Sequence, residues 1–465
     1  MPPVVAAPPP PAYTNPVGKM LHDVRRERAA EVPFPAGDTR FSMARTMRFT
    51  RDPLGLLLDA YERYGPVFTL RIFHSNVVFM LGPEANHYML VSHARNFTWR
   101  DGHMGDLMPF LGDGLLTIDG PFHRASRMAM LPMFHRERIV AMQELMVQEV
   151  DAALETWQDG QRLDLYAWTR DLALRIAMRA LFGIDPEHHR GRIDAAHEFE
   201  TALGYWSKDY VLQILRGPGS PWSRMLQARS RLDEIVYGEI ARRRRTGRRG
   251  EDLLSLLLDA QDGDGVELTD RNIRDEVMTL LFAGHDTTTS TIAFLFHELA
   301  RHPELAEAPG FDLDLAVEET LRMYPPAWIG PRRSVQTFEL HGVTVPGGVP
   351  VEYSSWASHH LPDVWDEPAA FRPQRFAPEA RERLPKGAYV PFGGGSRTCI
   401  GMRFGQAEIG IIARRILGRF RLDLEPGYVL RVRQSPTIGP RDGLPVRLRA
   451  AAPAAGTGSA PVLAA

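Results

Sequence analysis

A single cysteine, Cys399, in 465 residues leaves no partner for an intramolecular disulfide, which excludes a disulfide-stapled secreted scaffold and fits a reducing cytoplasm. A strong charge of one sign is missing too. The 55 Lys and Arg nearly balance 57 Asp and Glu, for a formal net charge of −2, so bulk electrostatics recommends neither nucleic acid nor an anionic membrane as main partner. Nor is there a long apolar run free of polar groups. The least polar stretch, Val277 to Leu299, carries His285, Asp286, Glu298 and a Thr/Ser cluster, which are costly in lipid, so it reads as a buried soluble helix and no transmembrane anchor is expected. Residues 1–19 are rich in Pro and Ala, lack an apolar core of signal-peptide length, and read as a disordered leader. Residues 451–465 read as a mobile Ala/Pro/Gly tail. With 44% hydrophobic residues overall, the intervening 20–450 can enclose a large core and a bulky cofactor.

Apolar spacing of three and four predicts helices over Leu54 to Tyr64, Met142 to Trp157, Tyr166 to Phe182, Ile193 to Ser207, Trp222 to Arg245 and Leu313 to Tyr324. Val67 to Phe73 and Asn76 to Leu81 read as a small β region, and Thr337 to Val345 with Val349 to Tyr353 as hairpin strands around Pro346-Gly347-Gly348. The run Arg242 to Arg245 closes a helical segment, where cations suit the C-terminal dipole, and reads as a solvated helix end rather than a nucleic-acid patch. Thr269 and Asp270 open a helix that continues to about His302 and stops before Pro303. At about 1.5 Å per residue it crosses a whole domain. The fold class expected is mainly α with a smaller β portion.

Cys399 lies in Phe392-Gly393-Gly394-Gly395-Ser396-Arg397-Thr398-Cys399-Ile400-Gly401, a glycine-rich, cation-bearing loop entering a helix. A lone cysteine is more often an inert small hydrophobe. Here the glycines allow close backbone approach to a ligand, and the helix N-terminus and Arg397 both favour an anionic sulfur able to bind a metal. No second cysteine or finger-like His spacing supports tetrahedral zinc, and no Cys-x-x-Cys-His supports a c-type haem. Phe-x-x-Gly-x-Arg-x-Cys-x-Gly resembles the cytochromes P-450, the haem-thiolate monooxygenases, and the resemblance runs from about Asp52 to Leu448. It implies the fold of that family, with the long helix across the haem. It also implies that Cys399 is the axial ligand of iron, that Phe392 packs against it and that Arg397 pairs with a haem propionate. Gly393 and Gly401 would lie against the cofactor.

Ala283-Gly284-His285-Asp286-Thr287-Thr288 falls mid-helix, where Gly and a charged residue both carry a cost. Read alone, Thr287 could bond back to a preceding carbonyl and Asp286 pair with an arginine. By similarity to the oxygen-activating segment of the family, Ala283 borders the haem, while Asp286 and Thr287 relay protons to bound oxygen. Glu319 and Arg322, one turn apart, together with Arg375 resemble the family's structural triad, which holds the segment presenting Cys399. His123 and Arg127, and Arg332 at the start of a β-type segment, resemble its propionate clamps, although each alone is ordinarily a surface cation. Substrate contacts implied in the same way are Met104, Met108, Phe282, Ala327, Trp328, Ile329, Thr437 and Ile438, each equally explicable as core.

The resemblance implies haem b (iron protoporphyrin IX), with O2 as co-substrate and hydroxylation of a small lipophilic substrate. The thiolate donates electron density to iron. No flavin or ferredoxin module fits in the remaining chain, so electrons from NAD(P)H would arrive through a separate ferredoxin or flavodoxin and its reductase. Arg124 and Arg136 are candidates for its docking face. A monomer is expected. The alternatives are a peroxide-driven or rearranging P-450, which usually departs from the acid-Thr pair kept here, and a haem sensor or carrier without turnover.

Overall fold

A computed structural model describes residues 16–185, 193–206, 208, 210–247, 249–262, 268–434 and 436–451. The expected disordered leader falls outside the described residues at 1–15. Within the expected leader, residues 16–19 instead open a helix, Pro16–Arg28. Lys19 of this helix pairs with Asp106, and its buried Asp23 accepts from Arg333, which ties the segment to the body. Of the expected tail, all but Ala451 lies outside the described residues.

The molecule is organised about one helix, Asp270–Arg301, whose start is fixed by a reciprocal cap. The Thr269 hydroxyl accepts from the Asn272 N–H, and the Asn272 amide oxygen accepts from the Thr269 N–H. Its 32 residues give a length of about 48 Å, and it ends at His302, before Pro303. From Asn272 to Leu299 every residue is buried except Ala283, Gly284 and Thr287. Helices Leu165–Phe182, Pro221–Thr246, Leu313–Met323 and Met402–Leu417 pack against it, and Arg136–Leu154 packs on the last of these. Their apolar faces form the main core, which includes Phe110, Met146, Phe182, Met225 and Ile412.

A six-stranded sheet flanks this helical body, in the order Gly37–Asp38, Val67–Ile72, Ser75–Met80, Pro350–Tyr353, Gly330–Ser334, Phe97–Thr98. Pro350–Tyr353 runs parallel to Ser75–Met80 and antiparallel to Gly330–Ser334. It is therefore not the second arm of a hairpin around Pro346-Gly347-Gly348. The hairpin is shorter, Phe338–Leu340 with Val343–Val345, and turns at His341 (φ 51°) and Gly342 (φ 72°), the pair of positive φ values that a two-residue turn demands.

The Arg242 to Arg245 expectation also needs correction. Pro221–Thr246 does end there, capped by left-handed Gly247, but Arg243 is buried and donates to Glu239, Asp252, Ser255 and the Phe182 carbonyl. It is a structural cation linking three segments. Among the described residues no helix is long and apolar enough to cross a membrane.

Candidate active site

The cysteine loop is folded by its own backbone. The Gly393 N–H donates to the Val390 carbonyl (3.1 Å) and the Cys399 N–H to the Phe392 carbonyl (2.9 Å), closing the turn that presents the sulfur. Gly393 and Gly395 have φ of 66° and 60°, a region other residues enter at a cost. A Cβ on Gly395 would stand 2.3 Å from the Leu90 carbonyl oxygen. Gly395 therefore serves packing against the chain rather than approach to a ligand.

Cys399 is an exposed residue, yet surrounding protein desolvates its thiol so strongly that burial is the leading influence on it. The sulfur is thus open while protein groups crowd around it. Burial raises the thiol pKa, against the Gly401 N–H and Arg127, which lower it. Of the two groups expected to favour an anionic sulfur, the helix start does so through the Gly401 N–H, but Arg397 is not the cation that acts on it. The nearby cation is Arg127, and desolvation outweighs it. A bound metal cation would reverse that balance, since a coordinating thiol is deprotonated outright.

Around the loop converge four basic side chains. Arg127, on helix Gly120–Met130, donates to the Thr398 carbonyl (2.8 Å). His123, one turn earlier, is buried, and burial followed by Arg397 and Arg127 pushes its pKa down to about 3. Arg332 is buried in strand Gly330–Ser334, with its guanidinium 3.5 Å from the centre of the Trp99 ring, and burial lowers its pKa to about 10. Arg397 reaches Asp119 (2.6 Å) and the Ile118 carbonyl (2.7 Å), and burial likewise brings it to about 10. Among the described residues Asp119 is the one carboxylate within ion-pair distance of these four groups. Three arginines with one carboxylate between them, Arg332 buried and Arg127 and Arg397 half-buried, beside a neutral His123, fit a ligand that brings its own carboxylates. Neighbouring Arg333 is used up by Asp23 and the Asp101 and Gly348 carbonyls, as expected for the opposite face of a strand.

On the central helix, Ala283, Gly284 and Thr287 open one face over a single turn. The Thr287 hydroxyl donates to the Ala283 carbonyl (2.7 Å), and the buried Asp286 accepts from Thr437 and lies 4.0 Å from Arg433. This is the back-bonded, paired geometry that an ordinary interior Thr and Asp also adopt. His285 is buried, with Nδ1 2.7 Å from the Leu281 oxygen, and faces Phe199. An open cysteine, an unbalanced cationic cluster and a bare helical face suit an iron porphyrin with two propionates. Among the described residues no group of three or more His, Cys, Asp and Glu could hold a metal, so Cys399 has no companions for tetrahedral zinc.

The model of the family described as cytochrome P450 matches residues 43–308 and 313–437. The chain belongs to the cytochrome P450 family. It is therefore an oxidoreductase whose family uses haem b with O2 and NAD(P)H-derived electrons. It is 32% identical over 83% of its length, and 89% of the relative's, to cyclooctat-9-en-7-ol 5-monooxygenase of Streptomyces melanosporofaciens. It is 30% identical over 87% of its length, and all of the relative's, to putative cytochrome P450 139 of Mycobacterium tuberculosis. Among solved structures, retinoic acid bound cyanobacterial CYP120A1 superposes with a TM-score of 0.77 at 26% identity, covering 90% of this chain and 100% of that one.

The residues resembling the P450 triad do assemble. Glu319 and Arg322 are fully buried and joined by two bonds of 2.8 and 2.9 Å, and the Arg375 Nε reaches Glu319 at 3.3 Å. Stranding one charge of such a pair costs on the order of 3–5 kcal/mol. Of the supposed substrate contacts, Met104, Met108 and Ile329 are half-buried, Ala327 is exposed and Phe282 is buried. Trp328 and Ile438 are closed off at least as much as Phe282. Both are buried in the second core cluster, where Trp328 packs on Phe49 and Trp356 and donates its indole N–H to the Gln434 carbonyl (2.6 Å). Ile329 packs against the same cluster from its edge, while Ala327 stays exposed. Sequence reasoning missed Trp99 and Asp119. Asp119 accepts from the Trp99 and Arg100 N–H groups as well as Arg397, and an Asp before Gly120-Pro121 was the one local signal for it.

Proposed function

We propose that this P450 inserts one atom of O2 into a C–H or C=C bond of a small lipophilic substrate, with electrons from NAD(P)H delivered by a separate ferredoxin or flavodoxin and its reductase. The observation that carries this reading is the conjunction of an open Cys399 with Arg127, His123, Arg332 and Arg397, of which, among the described residues, Arg397 alone has a carboxylate within ion-pair distance. Arg127, Arg332 and His123, with Arg397 shared by Asp119, would bind the propionates, and Cys399 Sγ would hold the iron. Bound haem supplies the redox chemistry that activates oxygen. Asp286 and Thr287 would deliver protons. Both begin in satisfied hydrogen bonds, so delivery requires the Thr287 hydroxyl to turn from the Ala283 carbonyl and Asp286 to part from Thr437. The apolar character of Met104, Met108, Phe282, Ala327 and Ile329 supports a lipophilic substrate, as does the relative named for cyclooctat-9-en-7-ol. Glu319, Arg322 and Arg375 would hold the segment ahead of Cys399.

The test is spectroscopic and needs no electron carrier. Dithionite-reduced protein under carbon monoxide is expected to show the thiolate-type band that gives the family its name, and Cys399→Ser to abolish it. A wild-type protein without that band, or a Ser variant that keeps it, overturns the reading.

A further inference from the structure

His359 sits at the end of helix Ser355–Ser358, wholly buried, and belongs to neither the triad nor the cysteine loop. It touches both. Its Nδ1 lies 3.1 Å from the Arg322 carbonyl oxygen, while the Arg322 Nη1 donates to the His359 carbonyl at 2.8 Å, so the two residues clasp each other through side chain and backbone. On the far side of the ring, the Val390 N–H donates to Nε2 at 2.9 Å. Val390 is where the loop turn begins, since its carbonyl takes the Gly393 N–H, and the Phe392 carbonyl then takes the Cys399 N–H. Tyr389 stacks on the imidazole at 5.5 Å and donates to the Glu318 carbonyl, on the helix that carries the triad.

The chemistry fixes the state of the ring. A backbone N–H can only donate, so Nε2 must carry the lone pair and Nδ1 the proton. A doubly protonated ring would set N–H against N–H. Burial and the Arg322 charge disfavour that form as well, lowering the His359 pKa to about 3. The ring is thus a neutral, single-tautomer strut.

We propose that His359 is a positioning residue that transmits the rigidity of the Glu319–Arg322–Arg375 network to the turn presenting Cys399, through the chain Arg322, imidazole, Val390 amide. Its consequence for the iron rests on Cys399 being the ligand, but the coupling itself does not.

His360 supplies a matched control. It is the adjacent buried histidine, yet its Nδ1 reaches only the Trp356 carbonyl of its own turn (2.8 Å). Purified holoprotein of H359F, H359N and H360F is compared with wild type by hydrogen exchange over 390–399 and by the ratio of thiolate-type to thiol-type carbon monoxide bands. H359F is expected to raise exchange of the Val390 amide about tenfold and to shift part of the band to the thiol type. H359N, which keeps an acceptor and a donor, restores both at least in half, and H360F changes neither. Equal effects in H359F and H360F, or unchanged exchange at Val390 in H359F, overturn the proposal. If H359F does not fold, 15N-histidine NMR of the wild type, with H359N for assignment, decides. An Nδ1–H tautomer supports the strut and an Nε2–H tautomer overturns it. Absence of any thiolate band in wild type would sink the Cys399 reading, while the exchange and tautomer results would still judge His359.

Discussion

Glu408 shows how a buried carboxyl ties the cysteine side of the site to the oxygen side. It stands on Met402–Leu417 and accepts from the Thr288 hydroxyl at 2.9 Å, next to Thr287, while its Oε1 has no hydrogen-bond partner among the described residues. Burial raises its pKa from 4.5 to about 8, so the folded protein keeps a proton that the unfolded chain releases. Folding takes up a proton across this window, and the contribution to stability is greatest below the unfolded pKa and is lost as pH rises to the folded one. The slope for one group is about 1.4 kcal/mol per pH unit. Glu408→Gln keeps an acceptor for Thr288 and removes the titration. In denaturant melts between pH 5 and 8, its advantage over wild type should grow by about that slope. A difference that does not vary with pH would show that Glu408 is ionised in the fold.

At the scale of elements, the central helix derives its special character from what one turn leaves out. Ala283, Gly284 and Thr287 are the three open positions between Asn272 and Leu299, and a Cβ on Gly284 would meet nothing closer than the Ala177 Cβ at 4.0 Å. Glycine is therefore unnecessary for packing there and costs the helix about 0.5–1 kcal/mol relative to alanine. Gly284→Ala is expected to raise stability by that amount while weakening the optical shift caused by an iron-directed azole such as 4-phenylimidazole. Loss of stability would mean that the space beside residue 284 is already filled. Elements of this kind were legible because their ends are chemically marked: Thr269 and Asp270 open the helix, Pro303 closes it, and Cys399 sits in a loop rich in specified residue types. Errors arose where partners are distant in sequence. Pro350–Tyr353 pairs with Ser75–Met80, some 270 residues away, and nothing near Pro346-Gly347-Gly348 reveals it. Trp328 is apolar whether it lines a chamber or fills a core, and the indole bond to the distant Gln434 carbonyl has no local signal. Likewise Asp119, which pairs with Arg397, lies 278 positions before it, and nothing near Arg397 reveals it.

For the molecule as a whole, near-neutral net charge means that any steering of an electron carrier must come from local surface. Helix Gly120–Met130 turns Arg127 inward to the Thr398 carbonyl and leaves Arg124 exposed, so Arg124 marks the outer surface on the cysteine's side of the site. Arg136 is also exposed, at the start of Arg136–Leu154, and that helix packs on Met402–Leu417, which follows the cysteine loop. Among the described residues neither arginine has a carboxylate within ion-pair distance, whereas Arg138 is paired with Glu251. Two such cations, on helices that adjoin the cysteine loop or the helix following it, suit an acidic carrier, whose approach is steered by complementary charge and weakened by salt. Reversing both, as R124E with R136E, should lower carrier-supported turnover about tenfold or more at low ionic strength and much less at high salt. Peroxide-supported turnover bypasses the carrier and should stay within twofold of wild type. Equal losses by both routes would mean that the substitutions disturb the helix that carries His123 and Arg127, and the carrier would then have to dock elsewhere.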